Sequence, residues 1–143
     1  MPDSPAHHVR RWRQAAGQPC ADTPTLDVPF DDLELARVLI REERQELNDA
    51  IYAADILDEH ASLAHIAQEA ADLVWVTYGL CELLGIDLDR AINEVAAANM
   101  RKVAGGVRRR ADGKVLKPDG WVGPDMARVI EETRVFGRQG VER

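Results

Sequence analysis

Cysteine is scarce in this 143-residue chain: only Cys20 and Cys81 are present. Two thiols this far apart make neither a disulfide framework nor a zinc site, so both are read as reduced, with Cys81 packed as a small hydrophobe. Long apolar runs are missing as well. The longest uncharged stretch of the apolar centre, Leu73 to Cys81, has nine residues, whereas a membrane-spanning helix needs about 20. The start, Met1-Pro2-Asp3-Ser4-Pro5, has no basic segment followed by an apolar one, so it does not read as a secretory signal. The expectation is a cytoplasmic protein with no membrane segment. Familiar motifs are absent too: no Walker A sequence, no Gly-x-Gly-x-x-Gly and no His-Glu-x-x-His. A di-iron bundle would need Glu-x-x-His, but Leu57 and Ser62 stand three residues before His60 and His65. His7 and His8 are read as surface residues, and His65 as a surface residue or a neighbour of the acids described below.

Runs of β-branched residues bounded by turns are nearly absent, and the apolar residues recur with a helical period, which predicts a single all-α domain. A first helix is expected from Pro5 to Ala16, with Ser4 as N-cap, followed by a linker from Cys20 to Pro29. A second should run from about Asp31 to Ala53, capped by Asp31 or Asp32. A third should run from about Ala61 to Leu84 and close at Gly85. Between Ala70 and Leu84 only Asp72 and Glu82 are charged, so most of this helix's circumference should be buried, in a bundle or at a subunit interface. Asp87 should cap a fourth helix with an apolar stripe of Ile92, Val95, Ala96, Met100 and Val103, stopped by Gly105-Gly106. An Asp112-Gly113 turn could close a small hairpin, and Pro124 at N1 should open a last helix through about Phe136.

Charge is divided along the chain. The total is 25 acidic against 18 basic side chains, a net charge of −7. From Asp31 to Glu94 there are sixteen carboxylates and four basic residues, and from Arg101 to Pro118 seven basic residues and one acid. The acidic total argues against a nucleic-acid polymer as the main partner, since that affinity comes from clustered Lys and Arg.

The most informative acids interrupt apolar stripes. Along the second helix the stripe reads Ala36, Ile40, Glu43, Leu47, Ala50; along the third, Ser62, Ile66, Glu69, Leu73, Val76, Leu80. Each interrupting Glu has another acid three residues on, Glu46 after Glu43 and Asp72 after Glu69, and residues so spaced share a helix face. Antiparallel packing of the two helices would bring the four acids together. Glu42, Glu43 and Glu46 alone would pass for a solvated face, but Asp72 lies in a helix otherwise fit for burial. Four carboxylates in a partly dry space require protons or a cation. Oxygen ligands without His or Cys suit Mg²⁺, or Mn²⁺ in its place, and such ions hold phosphate oxygens.

Glu42-Glu43-Arg44-Gln45-Glu46 followed by Glu69-Ala70-Ala71-Asp72 resembles the motif pair of the MazG-like all-α nucleoside triphosphate pyrophosphatases. Ala70 to Gly79, Ala98-Asn99-Met100-Arg101-Lys102, Asp112 to Pro118 and Gly120-Trp121 are most similar to its dimeric dUTPase-like branch. The resemblance implies a four- to five-helix bundle completed by homodimerisation. It also implies Mg²⁺-dependent hydrolysis of a (deoxy)nucleoside triphosphate, dUTP first, to the monophosphate and pyrophosphate, in nucleotide-pool house-cleaning. Glu42, Glu43, Glu46, Glu69 and Asp72 would hold metal. Glu42 or Glu43 would act on the attacking water, Glu43 being favoured as the base and Glu42 as completing the metal shell. Asn99, Lys102, Arg109, Arg110, Lys114 and Lys117 would contact the substrate, and the basic loop could close over the phosphates. Trp75 and Trp121 are assigned to packing rather than to base stacking. The single domain then divides into an N-terminal helix and linker at 1–30, catalytic helices at 31–104, the basic loop at 105–123, and a C-terminal helix and tail at 124–143. Two alternatives stay open: a non-catalytic helical module binding nucleotides or a protein, and a pyrophosphatase for a damaged nucleotide or phosphoribosyl-ATP.

Overall fold

Ser4 and Pro5 open the first helix as their chemistry dictates: the Ser4 hydroxyl accepts from the His7 amide at 3.3 Å, and Pro5 occupies a position where no amide is needed. A computed structural model of the chain describes residues 4–55 and 58–138. The first three residues, positions 56 and 57 of the α2–α3 connection, and the tail beyond Arg138 lie outside the described residues. Helix α1 spans Pro5–Ala15, α2 Phe30–Tyr52, α3 Glu59–Leu84, α4 Leu88–Val103 and α5 Met126–Phe136, with a 3₁₀ turn at Ala53–Asp55 after α2. The chain is all-helical, as the apolar period predicts.

Three helix starts differ from expectation: α3 opens two residues early, at Glu59, because the Asp58 carboxylate accepts from the Ala61 amide at 3.1 Å, and α2 and α5 differ as well. Pro29 takes the N-cap position of α2 without a side-chain cap, and Asp31 and Asp32 fall inside the first turn, where they still face the positive end of the dipole. Helix α5 begins at Met126, with Asp125 rather than Pro124 setting its start: the Asp125 carboxylate accepts from the Arg128 amide at 2.9 Å. Asp87 caps α4, accepting from the Arg90 amide at 3.0 Å, and Gly85 ends α3 at φ +67°. Gly85 is required twice over, since a Cβ there would also run into the Thr23 carbonyl.

Helices α2 and α3 form the main packed pair, and α1 lies on α3. The core cluster joins Ala6 and Val9 of α1 to Tyr78 of α3, with Leu88 against it. The linker is strapped to the C-terminal end of α3, because the Ala21 and Thr25 amides donate to the Glu82 and Leu84 carbonyls at 2.9 and 3.0 Å, satisfying acceptors that a helix end leaves open. Glu82 itself is fully buried. Its carboxylate accepts from Arg10 at 3.1 Å and from both terminal nitrogens of Arg138, one at 2.6 Å. Cys81 is buried and unbridged, and burial pushes its thiol up to about 11.

Helix α4 touches α3 at its start, where Leu88 lies against the core cluster and Asp89 accepts from the Tyr78 hydroxyl at 2.6 Å. Beyond that it packs on α5, tied by Glu94 through Arg128 and the Asp125 amide. Of the stretch from Ala70 to Leu84, expected to be buried in a bundle or at a subunit interface, Tyr78, Gly79 and Cys81 to Leu84 are buried. Val74 and Trp75 are exposed on the single chain, as are Leu63 near the start of α3 and Ile92, Val95 and Met100 on α4. No described helix is long and apolar enough to cross a membrane.

Candidate active site

The stripes read from sequence are the faces on which α2 and α3 meet. Ala36, Ile40, Glu43 and Leu47 are partly buried and Ala50 is buried, while Glu42, Arg44, Gln45 and Glu46 are exposed. On α3, Ser62 is buried and Ile66, Glu69, Leu73, Val76 and Leu80 are partly buried. Successive α-helical residues point about 100° apart, so a pattern repeating every three to four residues delivers one acid from each stripe, with Asp72 one turn beyond Glu69, to the same seam.

Three of the five acids converge. Glu43, Glu69 and Asp72 each place a carboxylate oxygen within 4.8 Å of the others. Glu46 adjoins this group, close enough for its carboxylate to raise the proton affinity of Glu43, although its side chain is exposed. Glu42 is exposed one position round the helix and does not join the cluster. Two α3 neighbours hold the acids in place: Gln68 donates to Asp72 Oδ2 at 2.6 Å, and His65 Nε2 lies 3.4 Å from Glu69 Oε1.

One atom tests whether a cation fits. Glu69 Oε2 is buried and has no hydrogen-bond partner among the described residues, a condition that costs about 1–3 kcal/mol or more for a charged group. Protein donors do not relieve it, whereas a hard divalent ion among three carboxylates would. The residues therefore fit such an ion.

Electrostatics agree. Burial first, and then the carboxylates of Glu46, Asp72 and Glu69, hold the Glu43 carboxyl above the usual carboxylate range. Because its folded value is raised, Glu43 contributes stability in full below the ordinary glutamate range and loses that contribution as pH rises through the raised value. Above that raised value the metal-free chain carries a repulsion that a cation would remove. Mn²⁺ or Mg²⁺ at 100 times its dissociation constant should stabilise the fold by about 2.7 kcal/mol, roughly 5–10 degrees in melting temperature for a chain of this size. Differential scanning fluorimetry with and without a chelator checks this, and an unchanged melting temperature would count against a metal at these acids.

The basic loop is ordered by its own contacts. Gly113 at φ +89° makes the Asp112-Gly113 turn, the Arg110 amide donates to the Lys114 carbonyl at 2.8 Å, and Arg109 bridges Val115. Arg110 forms an ion pair with Asp112, Arg109 donates to the Gly113 carbonyl at 3.2 Å, and the Lys114 amide donates to Asp112 at 3.2 Å. Lys102 donates to Asn99 at 2.7 Å, and Lys102 and Lys117 each sit 4.8 Å from the Trp121 ring centroid. Trp121 in turn donates its indole N–H to the Ala98 carbonyl at 2.8 Å. Asn99 is exposed at the C-terminal half of α4 rather than held in a packed stripe. Among the described residues, none of these basic side chains pairs with an acid of the cluster.

Sequence reasoning treated Glu82 only as a charge in an apolar helix; its role as a buried ion-pair centre was missed. The partners, Arg10 and Arg138, stand 72 and 56 residues away, and no local pattern announces them.

In comparison with protein families, a family described as phosphoribosyl-ATP pyrophosphohydrolase matches residues 18–99. That span contains α2, α3, most of α4 and all five acids, and it leaves out α1 and the basic loop. No curated protein matches the chain.

Proposed function

The chain belongs to the phosphoribosyl-ATP pyrophosphohydrolase family, and from that premise we propose that it hydrolyses a nucleotide to its monophosphate form and pyrophosphate, with Mg²⁺ or Mn²⁺ held by Glu43, Glu46, Glu69 and Asp72. The observation that carries this reading is the convergence of the Glu43, Glu69 and Asp72 oxygens around a buried Glu69 oxygen with no donor. When bound, the ion supplies an activated water and offsets charge on the phosphates.

The protein's own groups do the rest. Glu43, with its raised proton affinity, accepts the proton of the attacking water. The water oxygen bonds to phosphorus as the bond to the departing pyrophosphate breaks. Glu42 completes the metal shell by turning its exposed side chain inward. Lys102, Lys117 and Asn99, grouped around Trp121, meet the phosphates, with Arg109, Arg110 and Lys114 on the adjoining hairpin. Homodimerisation in the cytoplasm belongs to the same proposal. It is supported by the apolar side chains left exposed on α3 and α4, which a second copy would cover while bringing the basic loop towards the acids.

Two substrates head the panel: dUTP, to which the sequence resemblance of the tail points, and phosphoribosyl-ATP, which the family's description names. Pyrophosphate release from these and from the other nucleoside triphosphates, with Mg²⁺ or Mn²⁺, tests the proposal. Turnover of at least one, abolished by chelation, is expected. Nucleotide binding with no hydrolysis across the panel would replace the enzyme with a binding module.

A further inference from the structure

A cavity of about 120 Å³ lies between α1, α2 and α3, lined by Trp12, Leu39, Trp75 and Val76, with Gln18, Asp32 and Arg13 also on its wall, the Arg13 guanidinium donating to the Pro19 carbonyl at 2.8 and 3.2 Å. Its position follows from helix register. Trp75 and Val76 come one turn after Asp72, and Leu39 one turn before Glu43, so on both helices the cavity begins about 5 Å from the acid cluster. Asp32 lies eleven residues before Glu43, about 16 Å along the helix. None of the cluster acids lines the cavity, but along α2 its wall runs from one turn to about 16 Å from Glu43, the reach of a nucleotide from its phosphates to the far edge of its base.

Its lining suits a planar ring. Trp12 and Trp75 meet edge to face, centroids 6.0 Å apart and planes at 74°, yet they remain 49 % and 37 % exposed. Large aromatic faces left open beside an apolar cavity form a stacking platform. The side chains of Gln18 and Asp32 make no hydrogen bond among the described residues, and so offer an amide and an acceptor-only carboxylate for a ring edge. Trp12 belongs to α1, outside the residues 18–99 that the family match covers, whereas Gln18, Asp32 and Trp75 lie within it.

Resting on the pyrophosphohydrolase reading for the nucleotide's placement, we propose that this cavity holds the substrate's base. Trp12 and Trp75 lie against the ring, Gln18 and Asp32 read its edge, and bases bearing an exocyclic amino group are favoured over their carbonyl counterparts. A carboxylate accepts from an amino group and repels a carbonyl oxygen in the same place.

Calorimetric titration of the Mg²⁺-loaded full chain with CMP against UMP, and AMP against IMP, isolates that one group without requiring turnover. The amino member of each pair should bind at least about tenfold more tightly. Asp32→Asn should erase or invert the ratio. Trp12→Ala should weaken every nucleotide by about tenfold or more while leaving the ratio in place, since stacking is indifferent to base identity. Circular dichroism of both variants should match the parent, because neither side chain is part of the packed core. Equal affinities within the pairs, or indifference to both substitutions, would overturn the proposal. If the monophosphates bind with the expected pattern but no triphosphate is hydrolysed, the cavity assignment stands and the enzymatic reading falls. Hydrolysis without base discrimination means the reverse.

Discussion

Glu43→Gln should yield a folded protein that is more heat-resistant without metal than the parent, yet turns nucleotide over about 10²–10⁴-fold more slowly, the range for loss of a positioned general base. The two effects share one cause. Burial and three neighbouring acids disfavour the Glu43 carboxylate, so a neutral amide of the same shape relieves the metal-free fold while removing the proton acceptor. Asp72→Asn should inactivate as well, because Asp72 supplies one of the three converging oxygens. Gains in stability at the expense of activity are a common mark of functional acids. Steady-state rates beside melting curves check this. Activity within a few-fold of the parent for both variants would remove these residues from the site.

Glu82→Gln should lower stability by about 3–5 kcal/mol, the usual cost of breaking a buried ion pair from one side. The side chain of Glu82 is 0 % exposed and that of Arg138 only 4 %. Removing the charge leaves the Arg138 guanidinium buried without its counter-ion and loosens Arg10, so the linkage of α1 and the C-terminal segment to α3 weakens together. Typical domains have about 5–15 kcal/mol in total, so the melting temperature should fall by roughly 10 degrees or more. Urea titration gives the free energy directly. A change below about 1 kcal/mol would mean that the cluster is solvated in solution. At temperatures where the variant stays folded, turnover should persist, since Glu82 is not among the converging acids.

The contrast between Glu43 and Glu82 shows what a sequence discloses. Glu43 and Glu69 interrupt periodic apolar stripes, and periodicity is local information, so the meeting of α2 and α3 and the convergence of their acids could be read ahead of any coordinates. Caps at Ser4, Asp87 and Gly85 were legible for the same reason. Glu82 depends on arginines from opposite ends of the chain, and long-range charge pairing leaves no spacing rule. Glu42 shares the motif but not the seam, because adjacent helical residues diverge by about 100°, whereas Glu46, one turn from Glu43, reaches the edge of the cluster while staying exposed. The reach of the apolar surface was less legible: hydrophobicity marks Val74, Ile92 and Met100 as fit for burial, yet all three are exposed on the single chain. The cavity beside Trp12 was invisible for a related reason, since it arises only when α1 folds back onto α3.

The most direct test of the central claim is ³¹P NMR of the reaction mixture with the best substrate from the panel, run with Mg²⁺ and again with excess chelator. The account predicts pyrophosphate and a nucleotide bearing a single phosphate at the cleaved end, formed in equal amounts and only when the metal is present. Orthophosphate with a nucleoside diphosphate, or unchanged turnover in chelator, would contradict it.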